Sequence, residues 1–317
     1  MRKNAMLSDS DISVVMQGPI ASGVTGKCLS AIRSLLPHAE IILSTWKGED
    51  VSGISFDCLV QSEDPGAVEL NAKTDDRNNI NRQLISTQQG LLHVSRKYVL
   101  KIRTDLELLS LEFLEYYFRH NISSEVFSER VLILDHFTRN CRIIPVPFSP
   151  SDWLMFGRYE DVCQYYAAPL MPLEEMLYFK CHEDRQPLFS APYHRFVPEQ
   201  WICLNFLCKK WSIKCSDYHD NTMENRMLTE RFLTKSCLVY PYNEKEFLFH
   251  KYNPDRFCDR FTLFTQDDWQ AIVTGNQIPK VRWRKMLYRC RMKTISLIEW
   301  LGIKEFLREI IKRGKIL

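Results

Sequence analysis

The sequence predicts an α/β protein: a mostly parallel sheet flanked by helices, followed by a basic helical C-terminal tail. Three observations carry that expectation. Apolar strand-like runs alternate with segments of helical periodicity over the first 140 residues. Polar or turn-forming residues follow each apolar run. The last 38 residues, Lys280 to Leu317, hold twelve Lys or Arg against three Glu.

"ISVVM" (Ile12 to Met16) is a short apolar strand stopped by Gln17, Gly18 and Pro19. "KCLSAIRSLL" spaces its apolar residues as a helix does, and "AEIILST" is a buried strand. "FDCLVQS" is a weaker strand before the turn "EDPG". "NNINRQLISTQQGLLHVS" predicts a helix and "YVLKIRTD" a strand. "LEFLEYYFRH" is a helix, and "RVLILDHF" is a strand. Further on, "SDWLMFGRYEDV" is a strand running into a helix, and Pro198-Glu199 opens the helix "PEQWICLNFLCKKW". "DYHDNTMENRM" is polar and loop-like, and "KEFLFHKY" is a last short strand or turn.

At 317 residues, 45% apolar and 26% charged, the chain can bury a core without staples. Eleven cysteines, an odd number with no C-x-x-C pair, point to free thiols in a reducing compartment. The opening "MRKNAMLSDS" lacks a signal-type apolar region, and no apolar run approaches the roughly 18–20 residues a spanning helix needs. A cytoplasmic protein, peripheral on the inner membrane, is the expectation. The tail carries a net +9 and the preceding 279 residues −6. That split suits a tail that meets an anionic surface, and an acidic body argues against a nucleic-acid partner.

In open α/β sheets a ligand sits beyond the carboxyl ends of the strands. The residues there are Gln17, Gly18 and Pro19; Ser44, Thr45 and Trp46; Arg103, Asp105 and Glu107. No G-x-G-x-x-G follows the first strand, and no P-loop motif occurs anywhere. A nucleotide site here has no glycine cradle. It would meet diphosphate charge with cations, among them a divalent metal on carboxylates. Continued extension past Arg103 would put Asp105 and Glu107 on one face. The bland alternative is a pair of solvated turn acids.

The blocks "ISVVMQGPI", "EIILSTWKG", "NNINRQLISTQQGL", "YVLKIRTDLEL" and "SDWLMFG" occur in that order over about the first 210 residues. Together they resemble the WavE-type lipopolysaccharide-biosynthesis proteins of Gram-negative bacteria, which look like glycosyltransferases. The resemblance implies a GT-A-like, Rossmann-like fold over residues 1–279. Residues 1–140 would form the nucleotide-sugar-binding half and 141–279 the acceptor half, with 280–317 as the tail. It implies transfer of a sugar from a nucleotide-sugar donor, a UDP-sugar by preference, to a lipid-linked lipopolysaccharide core, O-antigen or capsule glycan. Inversion is favoured. It also implies Mn²⁺ or Mg²⁺ held by a D-x-D-like motif. The matching stretch, Thr104-Asp105-Leu106-Glu107, departs from D-x-D at Thr104 and at Glu107. A non-catalytic nucleotide- or carbohydrate-binding protein with a degenerate site is the alternative.

The donor site is then expected at Gln17, Gly18, Pro19, Thr45, Arg77, Asn81, Arg82, Arg103 and Asp105. Arg77, Asn78, Asn81 and Arg82 are read as a donor-rich helix start. The metal ligands are Asp105, Glu107 and His250, with Lys251 a phosphate contact. Glu199, an acid at a helix start, is the first candidate for general base and Asp152 the second. Helix-dipole complementarity explains Glu199 equally simply.

Overall fold

A computed structural model describes residues 8–71, 76–182, 193–251 and 260–300. The expectations for the tail beyond Trp300 lie outside the described residues. The strands are β1 (Ile12–Gln17), β2 (Glu40–Trp46), β3 (Cys58–Ser62), β4 (Val68–Asn71), β5 (Asp76–Asn78), β6 (Tyr98–Arg103), β7 (Leu106–Leu108), β8 (Val131–Leu134), β9 (Leu154–Arg158), β10 (Cys237–Tyr240) and β11 (Phe247–Phe249). The helices are α1 (Thr25–Leu35), α2 (Ile80–Leu91), α3 (Glu112–His120), α4 (Tyr159–Tyr166), the short α5 (Leu173–Met176) and α6 (Tyr178–Cys181), α7 (Pro198–Leu207), α8 (Met223–Lys235), α9 (Gln266–Val273) and α10 (Val281–Trp300).

Seven strands form the central sheet in the order β10-β8-β9-β6-β1-β2-β3. All neighbouring pairs are parallel except those made by β9, which runs against β6 and β8. β1 is buried along its whole length and β8 likewise. Strands covered by helices on both faces need continuous apolar runs, and "ISVVM" and "VLIL" supply them. This is the expected mostly parallel sheet, and its reversed strand matters for function. Because β9 is antiparallel, the residues before it lie at the edge where the parallel strands end. Asp152 and Trp153 therefore come to the same edge as Gln17 and Arg103.

α2 packs across β1 and β2. The close approach is possible because position 90 is glycine: a Cβ there would lie 2.6 Å from Val15 Cγ1 and 3.0 Å from Ser44 Cβ. Two small antiparallel ribbons complete the fold, β4–β5 and β7–β11. Among the described residues no cysteine is in a disulfide. No described helix is long and apolar enough to cross a membrane.

The expected elements are present with three departures. The chain turns at Thr104–Asp105 between β6 and β7, so it is not extended through Asp105. Arg77 lies in β5, so it reaches its surroundings from a hairpin and not from a helix start; the helix begins at Ile80. The polar stretch after Ser216 does not stay a loop: Thr222 caps α8 by accepting from the Asn225 N–H at 3.2 Å, and β10 follows. The cap residue stands in "DNTMEN", where the polarity of its neighbours masks it.

Candidate active site at the carboxyl edge of the sheet

A cleft of about 290 Å³ opens where β1 and β6 end. Gln17, Gly18 and Pro19 form one wall, with Arg77, Arg82, Arg103 and Lys251 contributing four cations. Among the described residues no acid lines it. Clustered guanidinium groups over a backbone turn are suited to a diphosphate.

Thr104 explains its own place in the sequence. Its Oγ1 donates to the Pro19 carbonyl at 2.8 Å, and its N–H donates to the Gln17 carbonyl at 3.2 Å. Its carbonyl accepts from Thr25 Oγ1 at 3.2 Å. Gly18 has φ +129°, and a Cβ there would lie 3.0 Å from Thr104 Oγ1. The threonine thus clamps the turn after β1, and only glycine fits opposite it.

Arg103 holds Asp105 with two parallel bonds, Nε to Oδ1 at 2.8 Å and Nη2 to Oδ2 at 2.9 Å. Its guanidinium carbon also lies 5.1 Å from the centre of the Phe249 ring, and Phe249 stacks on Trp153 with centroids 4.0 Å apart. Arg103 is therefore held by Asp105 and by Phe249 of β11, which Trp153 backs, while still lining the cleft. Glu107 faces elsewhere: Lys27 Nζ is 3.0 Å away and His250 Nε2 2.7 Å. Burial raises its carboxyl, but hydrogen bonds from His250 and Lys27 outweigh this and leave it below its ordinary value. Among the described residues no three His, Cys, Asp or Glu side chains converge on a point where a metal could sit. Glu107 and His250 satisfy each other, which corrects their reading as ligands beside Asp105. A hard cation wants several convergent oxygens, and the turn at Thr104–Asp105 separates the two acids.

Two further expected residues stand outside the cleft. Asn81 is occupied by Met171, whose N–H it accepts at 2.8 Å and whose carbonyl it donates to at 3.1 Å. Thr45 is fully buried and does not line the cleft. Arg82 does line it, lies 5.6 Å over Trp46 and pairs with Asp64 at 2.5 and 2.8 Å. Sequence reasoning missed Gln83 and Ser86, which line the same cleft. Ser86 Oγ lies 2.6 Å from Gln17 Oε1. Gln83 Nε2 and Trp46 Nε1 are buried with no hydrogen-bond partner among the described residues. Such donors cost stability unless a ligand answers them. The helical period of α2 places Gln83 one turn and Ser86 two turns after Asn79, which is the signal that could have found them.

Beside this cleft lies a second set of charges. Lys101 is fully buried and donates from Nζ to the Asp152 carbonyl. Burial pushes its amine down to about 8, against the pull of Asp152. Glu199 stands at the first turn of α7, after Pro198 at the first helical position. Gln200 anchors that turn by donating to the Pro147 carbonyl at 2.6 Å and the Tyr218 carbonyl at 3.1 Å. Burial and then the Asp152 carboxylate push the Glu199 carboxyl up to about 7, with Arg139 and Arg103 pulling the other way. The Tyr166 ring lies 5.4 Å from Lys101 Nζ, and its hydroxyl is buried without a partner among the described residues. The fold thus brings Asp152, Glu199, Lys101 and Tyr166 into one electrostatic neighbourhood. Nothing in the sequence singles out Tyr166, because a tyrosine in a helix pattern signals packing.

The sheet order and the basic cleft at its carboxyl edge define an α/β protein with a ligand-sized opening at the strand ends. The chain belongs to the WavE lipopolysaccharide synthesis family, whose sequence model matches residues 12–246. No curated protein matches it. Among solved structures it is similar to glucosyl-3-phosphoglycerate synthase from Mycobacterium tuberculosis in complex with Mn²⁺, uridine diphosphate and glucosyl-3-phosphoglycerate. That match has 14% identity over 47% of this chain and 57% of that one, TM-score 0.30, so the chain spans little more than half of that protein's length. It is also similar to a 4-diphosphocytidyl-2C-methyl-D-erythritol synthase from Anaerococcus prevotii, at 14% identity over 71% of this chain and 99% of that one, TM-score 0.33. A Drosophila galactosyltransferase in complex with manganese, UDP-Gal and xylobiose matches at 11% identity over 78% and 74%, TM-score 0.32. Likeness at these scores says nothing of this chain's ligands.

Proposed function

We propose that this protein is a glycosyltransferase that moves a sugar from a nucleotide-sugar donor, a UDP-sugar by preference, to a lipid-linked lipopolysaccharide core, O-antigen or capsule glycan. It would work on the cytoplasmic face of the inner membrane, where such an acceptor meets a cytosolic donor. The single observation carrying this reading is the adjacency of a four-cation cleft to a half-buried acid whose carboxyl is pushed up to about 7.

The division of labour follows from the charges. Arg77, Arg82, Arg103 and Lys251 offset the diphosphate charge that grows as the anomeric bond breaks. Gln17, Gln83 and Trp46 offer donors to a base with carbonyl acceptors, as uracil has. Glu199 takes the proton of the acceptor hydroxyl, and its raised value makes it an effective base near pH 7. Asp152 keeps that value high and is the second candidate for base. Lys101 and Tyr166 support the pair from beneath. A divalent cation, Mn²⁺ or Mg²⁺, would supply further charge neutralisation to the diphosphate. Asp105 is the carboxylate through which it would join, at the cost of Arg103's grip on that group.

The test is titration of UDP into the full chain, with and without Mn²⁺, together with sugar release from UDP-sugars on an extracted glycan acceptor. Binding with turnover supports the reading. Binding without turnover on any donor reduces the chain to a nucleotide-binding protein, and absence of UDP binding removes the donor-site assignment.

A further inference from the structure

The basic tail divides into two faces with different tasks. On one face α10 is locked to the body. Arg284 Nη1 lies 2.7 and 2.8 Å from the two carboxylate oxygens of Asp268, which is 1% exposed. Its Nε donates to the Phe261 carbonyl at 3.0 Å, and its Nη2 donates to the Leu263 carbonyl. Tyr288 joins a small core with Ile143, Ile144, Val146, Phe179 and Tyr218, and Met292 packs against it. Residues 284, 288 and 292 are one turn apart, so they form one stripe.

The opposite stripe is apolar and uncovered. Trp283 is 55% exposed, Met286 44% and Leu297 54%, with exposed Cys290 between them. At 100° per residue these four fall within about 60° of one another, centred opposite Tyr288. Arg282, Arg289 and Lys293, all exposed, flank that stripe. Soluble surfaces seldom line up a tryptophan, a methionine and a leucine without a partner. Three adjoining cations name the partner's chemistry, because a second copy of this face would bring like charges together.

We propose that this outer stripe of α10 is a membrane-docking surface that lies in the headgroup region of an anionic bilayer while the helix stays fixed to the body. The proposal rests on the membrane location read above and specifies the face responsible. Trp283, Met286 and Leu297 insert between headgroups, and Arg282, Arg289 and Lys293 pair with lipid phosphates. The docking is rigid because the Arg284–Asp268 pair and Tyr288 hold the other face.

The experiment is flotation of the full chain with phosphatidylglycerol–phosphatidylethanolamine vesicles and with phosphatidylcholine vesicles, at low and high salt. The wild type is expected to float with the anionic vesicles and to lose binding in high salt. The triple variant Trp283→Ser, Met286→Ser, Leu297→Ser is expected to bind at least about ten-fold more weakly. Arg282→Glu with Arg289→Glu and Lys293→Glu is expected to abolish anionic binding. Both variants should keep the wild-type melting temperature, since none of these side chains packs on the body. Three results overturn the proposal: no flotation of the wild type, wild-type flotation of the apolar triple variant, or a wild-type dimer that the triple variant converts to monomers without any vesicle binding. UDP affinity measured on the same samples reads the transferase proposal separately, so either can fail alone.

Discussion

Two pairs of acids sit at the same edge of the sheet in opposite electrostatic settings. Asp105 and Glu107 are each answered by partners: Arg103 grips the first, and Lys27 with the His250 imidazole hold the second. Asp152 instead acts on Glu199, and burial together with that carboxylate drives Glu199 up to about 7. Glu107, held below its ordinary value, has little capacity to accept a proton near neutrality. Glu199 can accept one, because burial and the Asp152 carboxylate make its charged form costly. Sequence alone would rank the first pair as the more functional, since it resembles a metal motif. The environments reverse that ranking for proton transfer.

The sharpest way to break this comparison is Glu199→Gln. A lost general base costs about 10²–10⁴ in turnover, with UDP affinity unchanged. Wild-type turnover should rise with pH through about 7, as Glu199 loses its proton, and the variant should lose that limb. Stability gives an independent sign. The folded value lies above the ordinary 4.5, so the folded state holds the proton longer than the unfolded one. The wild type therefore loses stability as pH rises from about 4.5 to about 7. The variant should melt higher than wild type above pH 7 and equally below pH 4.5. Equal turnover in both proteins would return Glu199 to the role of helix-terminal acid and make Asp152 the base to test.

Arg103→Ala should come next. It removes a charge-assisted contact to the diphosphate and leaves Asp105 without its bidentate partner, weakening UDP by about ten- to a hundred-fold, or 1.5–3 kcal/mol. Calorimetry reads it directly, and unchanged affinity would detach the cleft from the diphosphate.

Asp105→Asn separates two roles for one carboxylate. If it positions Arg103, UDP affinity falls by the same few-fold factor with and without Mn²⁺. If it also binds the cation, any gain in UDP affinity from added Mn²⁺ disappears in the variant. Isothermal titration at two metal concentrations distinguishes these outcomes.

Glu107→Gln should act on stability more than on turnover. Hydrogen bonds to a buried charged group are worth about 2 kcal/mol, and Lys27 and His250 lose their partner. Glu107 titrates below its ordinary value, so its contribution is present above pH 4.5 and fades as pH falls through the lowered value. Denaturant melts at pH 7 and in acid should show a loss that shrinks in acid. A large drop in turnover with normal stability would restore Glu107 to the metal motif.

Much of the donor cleft is legible in the chain's one-dimensional pattern. Gln17, Gly18, Pro19 and Arg103 follow apolar runs, and the strand-end rule brings them together without further information. Arg77 and Arg82 are legible as cations, although Arg77 arrives from a hairpin. Asn81 and Thr45 are not separable from them by pattern, because which side of a helix or strand meets the cleft depends on where its neighbours pack. Met171, ninety residues away, is what occupies Asn81. The outward stripe of α10 is present in the sequence as mixed basic and apolar residues. Only the anchoring of Arg284 and Tyr288 shows which residues remain uncovered.

Hydrophobic periodicity by itself determined the alternation of strands and helices, and composition the charge split between body and tail. These are local properties, set by side-chain spacing and backbone preference. Tertiary structure alone decided that β9 runs backwards and so delivers Asp152 to the carboxyl edge of the sheet. It also decided that Glu199 loses its water there, and that Arg103 and His250 answer Asp105 and Glu107. A carboxyl's chemistry depends on what surrounds it within a few ångströms, and apart from Arg103 beside Asp105 those neighbours come from segments dozens to more than a hundred residues away.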